Sequence, residues 1–194
     1  LDSASQFLPK PPTKFSKEKN SDFYKLAMEV YEIGMNPTDE QKAMADFWDC
    51  NGFKMNVSGH VMFATKAMTP GGHWMGITGI VCQNNKADFD KTVYAYSGVS
   101  FAIMDGFIAC WNTKFTYDLI RPETYINLYV DNKWTPYLQT PPFPEYSSAH
   151  STVSNASATI LTNIFGDNTA FVDNTESRWG WPDRKFNSVM DAAQ

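Results

Sequence analysis

Two cationic residues seven positions apart, Lys114 and Arg121, open the chemically informative part of this chain, and Pro122 follows directly. The second part is Phe143-Pro144-Glu145-Tyr146-Ser147-Ser148-Ala149-His150-Ser151. A lysine brings a point charge and an arginine a planar fork, a useful pairing for a group with several oxygens. Ser148 and His150 stand where a helix is predicted to begin, and the unpaired N–H groups of a helix start attract anions. Ser148 can cap that helix and offer its hydroxyl, and the backbone N–H of Ala149 can reach the same oxygens. His150 changes charge near neutral pH, the property required of a general acid–base. The combined pattern describes a socket for a tetrahedral oxyanion.

Each part alone has a plainer explanation. Asp118 lies four residues after Lys114 and three before Arg121, the spacing of ion pairs on a solvated helix face. Ser148 and His150 can be an ordinary N-cap followed by a structural histidine.

The elements that must position these residues read as helices. Over 88–120 the only breakers are Gly98 and Gly106, which predicts one long helix or two joined at a bend. Pro122 pushes Arg121 out of helical geometry, so that helix should finish near Ile120 or Arg121. Lys114 and Arg121 would then share one face, with Cα atoms roughly 10 Å apart at about 1.5 Å of rise per residue. Residues 131–147 are proline-rich and irregular. The next helix is predicted from near Ser148 to just before Gly166.

Towards the N-terminus, Phe23, Leu26, Ala27, Val30 and Ile33 recur at helical spacing, and Gly34 is the predicted stop. Thr38 and Gln41 form a capping box for a helix reaching about Cys50. Residues 51–72 read as a loop, 73–84 as a helix and 186–194 as the start of another. With no strand alternation in view, the fold class is all-α. Residues 1–20 form an extended arm rich in proline and lysine, and 21–194 a helical domain that stops short at its C-terminus.

Composition narrows the function. The chain has 194 residues, is 43% hydrophobic and carries a net charge of −5. A substantial core is within reach, and the acidic balance argues against nucleic-acid binding. Any anion pocket must therefore be locally positive. Cys50, Cys82 and Cys110 lack metal-ligand spacing and read as buried free thiols. No Zn or Ca ligand set is apparent. No apolar run is expected to reach the length of a membrane span. The start, Leu1-Asp2-Ser3, has neither a signal peptide nor an initiator Met, so it reads as processed, and the expected location is periplasmic or secreted.

Taken in order, the two parts resemble the signature of the vanadium-dependent haloperoxidase and type 2 phosphatidic acid phosphatase superfamily. That signature is Lys-x6-Arg-Pro, then Pro-Ser-Gly-His, then Ser-Arg-x3-Gly-x-His. The resemblance covers roughly 105–166 and is closer to the soluble chloroperoxidase-like branch. There a Trp precedes the Lys by three residues, as Trp111 does here, and a Pro-Pro-Phe-Pro-x-Tyr lead-in matches Pro141 to Tyr146. The resemblance implies that Trp111 and Phe143 line a halide pocket. Their plainer role is core aromatics beneath a long helix.

The pattern departs from the family in two places. Ser147 stands for Pro and Ala149 for Gly. The final His, which is the phosphatase nucleophile and the peroxidase vanadium ligand, has no counterpart, because the three histidines are His60, His73 and His150. Ser177-Arg178 and Ser58-Gly59-His60 imitate pieces of the motifs but lack the following His or the family order. The sequence is read as ending just before its own third motif.

The resemblance implies a haloperoxidase with vanadate held by Lys114, Arg121, Ser148 and the Ala149 N–H, with Lys114 polarising peroxide and His150 managing protons. The same pocket suits a soluble acid phosphatase, which needs no cofactor and works through a phosphohistidine. A third reading is a non-catalytic helical domain that binds an anion or a partner. The substrate is a small molecule, and a homodimer is compatible with the resemblance.

Overall fold

The computed structural model describes the backbone of residues 1–50, 55–58, 61–64 and 68–194, and the side chains of 1–50 and 68–194. Six helices are described: α1 (Asp22–Met35), α2 (Asp39–Trp48), α3 (Pro70–Asn84), α4 (Phe89–Tyr117), α5 (Pro122–Tyr129) and α6 (Ala149–Phe165). Two antiparallel hairpins accompany them, β1 (Met55–Ser58) with β2 (Val61–Ala64), and β3 (Phe171–Asp173) with β4 (Arg184–Phe186). The class is all-α, as expected, and the strands are additions to it. Strands of three and four residues are too short to register as alternation in sequence. His60 lies outside the described residues.

The chain divides into two compact units. Leu1–Asp49 joins Ala109–Ser148, and Cys50–Ile108 joins Ala149–Gln194. In the first unit, α1 packs on α5 around Phe23, Ala27 and Tyr125. Ser21 caps α1 by accepting from the Tyr24 N–H. Gly34 does not stop α1 but lies inside it, because Trp134 comes so close that a Cβ would sit 2.7 Å from its Cζ2 atom. Close packing, rather than termination, is what that glycine permits. At α2 both halves of the expected capping box are made, Gln41 N–H to Thr38 Oγ1 and Thr38 N–H to Gln41 Oε1. The proline-rich arm is tied down by tyrosines. Tyr117, Tyr125 and Tyr146 donate their hydroxyls to the carbonyls of Pro9, Ser16 and Lys10.

In the second unit, α3 packs on α6 through buried Trp74, Ile77, Val81, Val153 and Leu161. The Trp74 indole N–H donates to Ser154 Oγ at 2.9 Å, which satisfies the one polar atom that ring buries. α3 starts at Pro70, earlier than expected, because Thr69 caps it through the Gly72 N–H and Pro70 suits its first turn. His73, fully buried, pairs with Asp173 of β3 at 2.8 Å. Burial disfavours the Asp173 carboxylate most, but His73 and two bonds from Thr175 outweigh it and hold the carboxyl below its usual range. Gly166 ends α6 with φ of 95°, the left-handed position glycine takes at a helix end. The expected helix over 186–194 is absent. Phe186 is drawn into β4 to stack on Phe171, and Asp191–Ala193 make only a 3₁₀ turn.

The helix α4 ends at Tyr117, earlier than predicted. Asp118 adopts φ of 44°, which breaks the helix before Pro122 can. Pro122 then opens α5, unforeseen in the sequence, with Arg121 as its N-cap. By length and composition alone Phe89–Tyr129 contains a stretch apolar enough to cross a bilayer, contrary to expectation.

Candidate oxyanion site

Lys114 and Arg121 do not share a helix face. Lys114 belongs to the last turn of α4, and Arg121 caps α5 beyond the break at Asp118. Both cations nevertheless reach one ring, Lys114 Nζ 5.0 Å and the Arg121 guanidinium 5.8 Å from the centroid of Phe143. Trp111, one turn before Lys114, meets the same ring at 5.2 Å. The four residues singled out in this region therefore converge.

The solvated-face explanation fails for Lys114, which is 1% exposed. Its ammonium donates to the carbonyls of Pro144 at 2.7 Å and Glu145 at 3.0 Å. Burial lowers its pKa most, Cys110 opposes, the positive charge of Arg121 lowers it further and Glu145 opposes again. Arg121 pairs with Glu145 Oε2 at 2.8 Å, and Asp118 makes no ion pair among the described residues. A lysine has three N–H donors, so one remains beyond the two carbonyl bonds. The Arg121 Nε is buried with no hydrogen-bond partner among the described residues. These spare donors beside two cations suit an oxyanion with several oxygens, such as vanadate.

Cys110 extends the clamp along α4, its thiol donating to the Ser147 carbonyl at 3.5 Å. Backbone 144–147 is thus held along α4, and the exposed Ser148 comes next. Ala149 then begins α6, with His150 in its first turn and exposed. Position 149 is helical, so alanine in place of the family glycine carries no left-handed strain. Ser177 and Arg178 lie in a 3₁₀ turn, where Arg178 stacks on Trp179 at 3.7 Å. All three cysteines are buried free thiols.

Residues 94–190, half of the chain, match the family described as the VCPO second helical-bundle domain. The chain belongs to the vanadium haloperoxidase family. Among solved structures it is similar to the first bacterial vanadium-dependent iodoperoxidase, with 46% identity and a TM-score of 0.90. That match covers 100% of this chain and 45% of the iodoperoxidase chain, so the present sequence spans less than half of that relative. No curated protein matches it significantly in sequence.

Sequence reasoning passed over Glu145 and Cys110 at this haloperoxidase-type site. The signal for Glu145 was present, an acid inside a segment expected to meet two cations. Cys110 left none, since a buried cysteine looks like any small apolar residue. A separate apolar cleft of about 660 Å³ lies between the arm, α1 and the start of α5. Glu145 and Tyr146 reach its edge, but Lys114 and Phe143 do not line it.

Proposed function

We propose that this chain carries the oxyanion pocket of a vanadate-dependent haloperoxidase, an enzyme that oxidises a halide with hydrogen peroxide. The observation that carries the proposal is Lys114. A buried ammonium is costly unless strongly partnered, and this one has a second cation beside it and an N–H to spare. A pocket of that kind gains most from a bound anion.

Vanadate, when bound, supplies a Lewis-acidic centre that activates peroxide towards a halide. Lys114 and Arg121 offset its negative charge, and fixed donors in a pocket of low dielectric need little rearrangement during reaction. Ser148, the next exposed residue after the segment held by Lys114, offers its hydroxyl as a further donor. Trp111 and Phe143 present an aromatic wall that excludes water from a halide's approach. The exposed His150, two residues after Ser148, is the side chain of this segment able to take up or return a proton.

Calorimetric titration with orthovanadate tests the pocket, and oxidation of iodide and bromide by peroxide tests the reaction. The expected result is saturable binding, abolished in Arg121→Ala, with vanadate-dependent halide oxidation by the full-length protein, in which the third motif supplies the remaining His. No vanadate binding by the wild-type chain refutes the reading. Hydrolysis of a phosphomonoester, inhibited by vanadate, would assign the pocket to the phosphatase reaction, since phosphate and vanadate share shape and charge. Binding with neither activity would leave an anion-binding helical domain.

A further inference from the structure

We propose that Glu145 is a built-in competitor for the oxyanion, a carboxylate that occupies Arg121 until an anion displaces it. The inference rests on the oxyanion reading of the pocket. Glu145 is bound to both cations in different ways, its carbonyl accepting from Lys114 Nζ at 3.0 Å and its carboxylate facing Arg121 Nη1 at 2.8 Å. The backbone contact fixes the residue in place, while the side chain is free to choose a partner.

The carboxylate contact is close but poorly directed. Among the described residues, Oε2 is buried and accepts no hydrogen bond of regular geometry, and the neighbouring Arg121 Nε has no hydrogen-bond partner. A well-formed carboxylate–guanidinium pair would be bidentate and would use such donors. Here the acid neutralises the guanidinium without saturating it. A tetrahedral anion with several oxygens can engage the unused Nε and the spare Lys114 N–H, which the carboxylate does not reach. The Glu145 side chain is 39% exposed, so it has a path to water when the anion takes its place.

Competition of this kind sets selectivity. An anion with a single contact atom gains too little from Arg121 to dislodge a carboxylate. An oxyanion whose several oxygens reach Arg121 Nε and the remaining Lys114 N–H gains enough.

The test is calorimetric titration of the full chain with orthovanadate and, separately, inorganic phosphate. Wild type, Glu145→Gln, Glu145→Ala and Asp118→Asn are compared. Asp118→Asn removes the same charge from the turn that carries Arg121, but from an acid that is not paired with Arg121. Both Glu145 variants are expected to bind vanadate about three- to fivefold more tightly than wild type, the range for a partly exposed ion pair, with Asp118→Asn near wild type. Unchanged or weaker binding in the Glu145 variants overturns the inference, as does an equal gain in Asp118→Asn, which would reduce the effect to net charge. Wild-type binding without a Glu145 effect leaves the oxyanion reading standing and removes only this inference. Absence of binding in every variant removes both.

Discussion

Replacing Lys114 by methionine separates what the buried ammonium does for the fold from what it does for the anion. Methionine keeps most of the volume and none of the charge. On the folding side, the bonds to the Pro144 and Glu145 carbonyls at 2.7 and 3.0 Å are lost. Bonds to charged groups are worth about 1.5–3 kcal/mol each. Against that stands the cost of burying the ammonium, visible as a pKa below the usual lysine range. The two effects oppose, and the net loss of stability is expected to be about 1–3 kcal/mol.

On the binding side nothing opposes. Removing one partner of a buried charged contact costs about 2–5 kcal/mol, which is roughly 30-fold to several thousand-fold in Kd. Urea unfolding reads the first quantity and vanadate calorimetry at pH 7 reads the second. Lys114 also predicts a pH signature. Its folded pKa is depressed below its unfolded value, so the stability it permits is complete above the unfolded pKa and is lost as pH falls through the folded one. Vanadate affinity moves oppositely and declines as pH rises through that depressed pKa. A Lys114→Met chain that folds and binds vanadate within about threefold of wild type would refute the argument, because the ammonium would then contribute no anion contact.

The remaining predictions concern the second unit. Asp173→Asn breaks a fully buried pair with His73 and should cost about 3–5 kcal/mol in urea unfolding at neutral pH. Because the folded pKa of Asp173 is lowered, the stability it contributes is present above the ordinary carboxyl pKa of about 4 and is lost as pH falls through the folded value. The acid limb of stability should therefore flatten in the variant, and an unaltered limb would discount the pair. Gly76→Ala places a Cβ 2.7 Å from Thr175 Cγ2, whereas Gly106→Ala meets Thr152 Cγ2 at an ordinary 3.5 Å. Thermal unfolding should show a loss of about 1–3 kcal/mol for the first and little for the second.

Helices with strong local signals were legible. Thr38 and Gln41 announced α2 because capping chemistry is local, and the run after Ser148 announced α6 for the same reason. The boundary between α4 and α5 was not legible. Nothing in the residue type of Asp118 states that it adopts positive φ, although aspartate tolerates that conformation better than most. The convergence of Lys114 and Arg121 was therefore expected for an incorrect reason. A continuous helix would have aligned them, whereas they lie on either side of a break and meet at Phe143. Gly34 was misread for a similar cause, since its role is set by Trp134 far along the chain. The ion pair of Arg121 with Glu145 was hinted at by an acid in a segment expected to meet two cations, but which cation it takes is set by tertiary packing.

The tyrosine contacts to the N-terminal arm divide the burden of the interaction unequally. Tyr117, Tyr125 and Tyr146 each grip a main-chain carbonyl, which every amino acid possesses. Positions 9, 10 and 16 can thus drift through many identities while the backbone path persists. The three phenols have no such latitude, because phenylalanine in any of their places would leave a carbonyl unanswered. Variation in the strap and constancy in its anchors is the pattern of divergence that this arrangement tolerates.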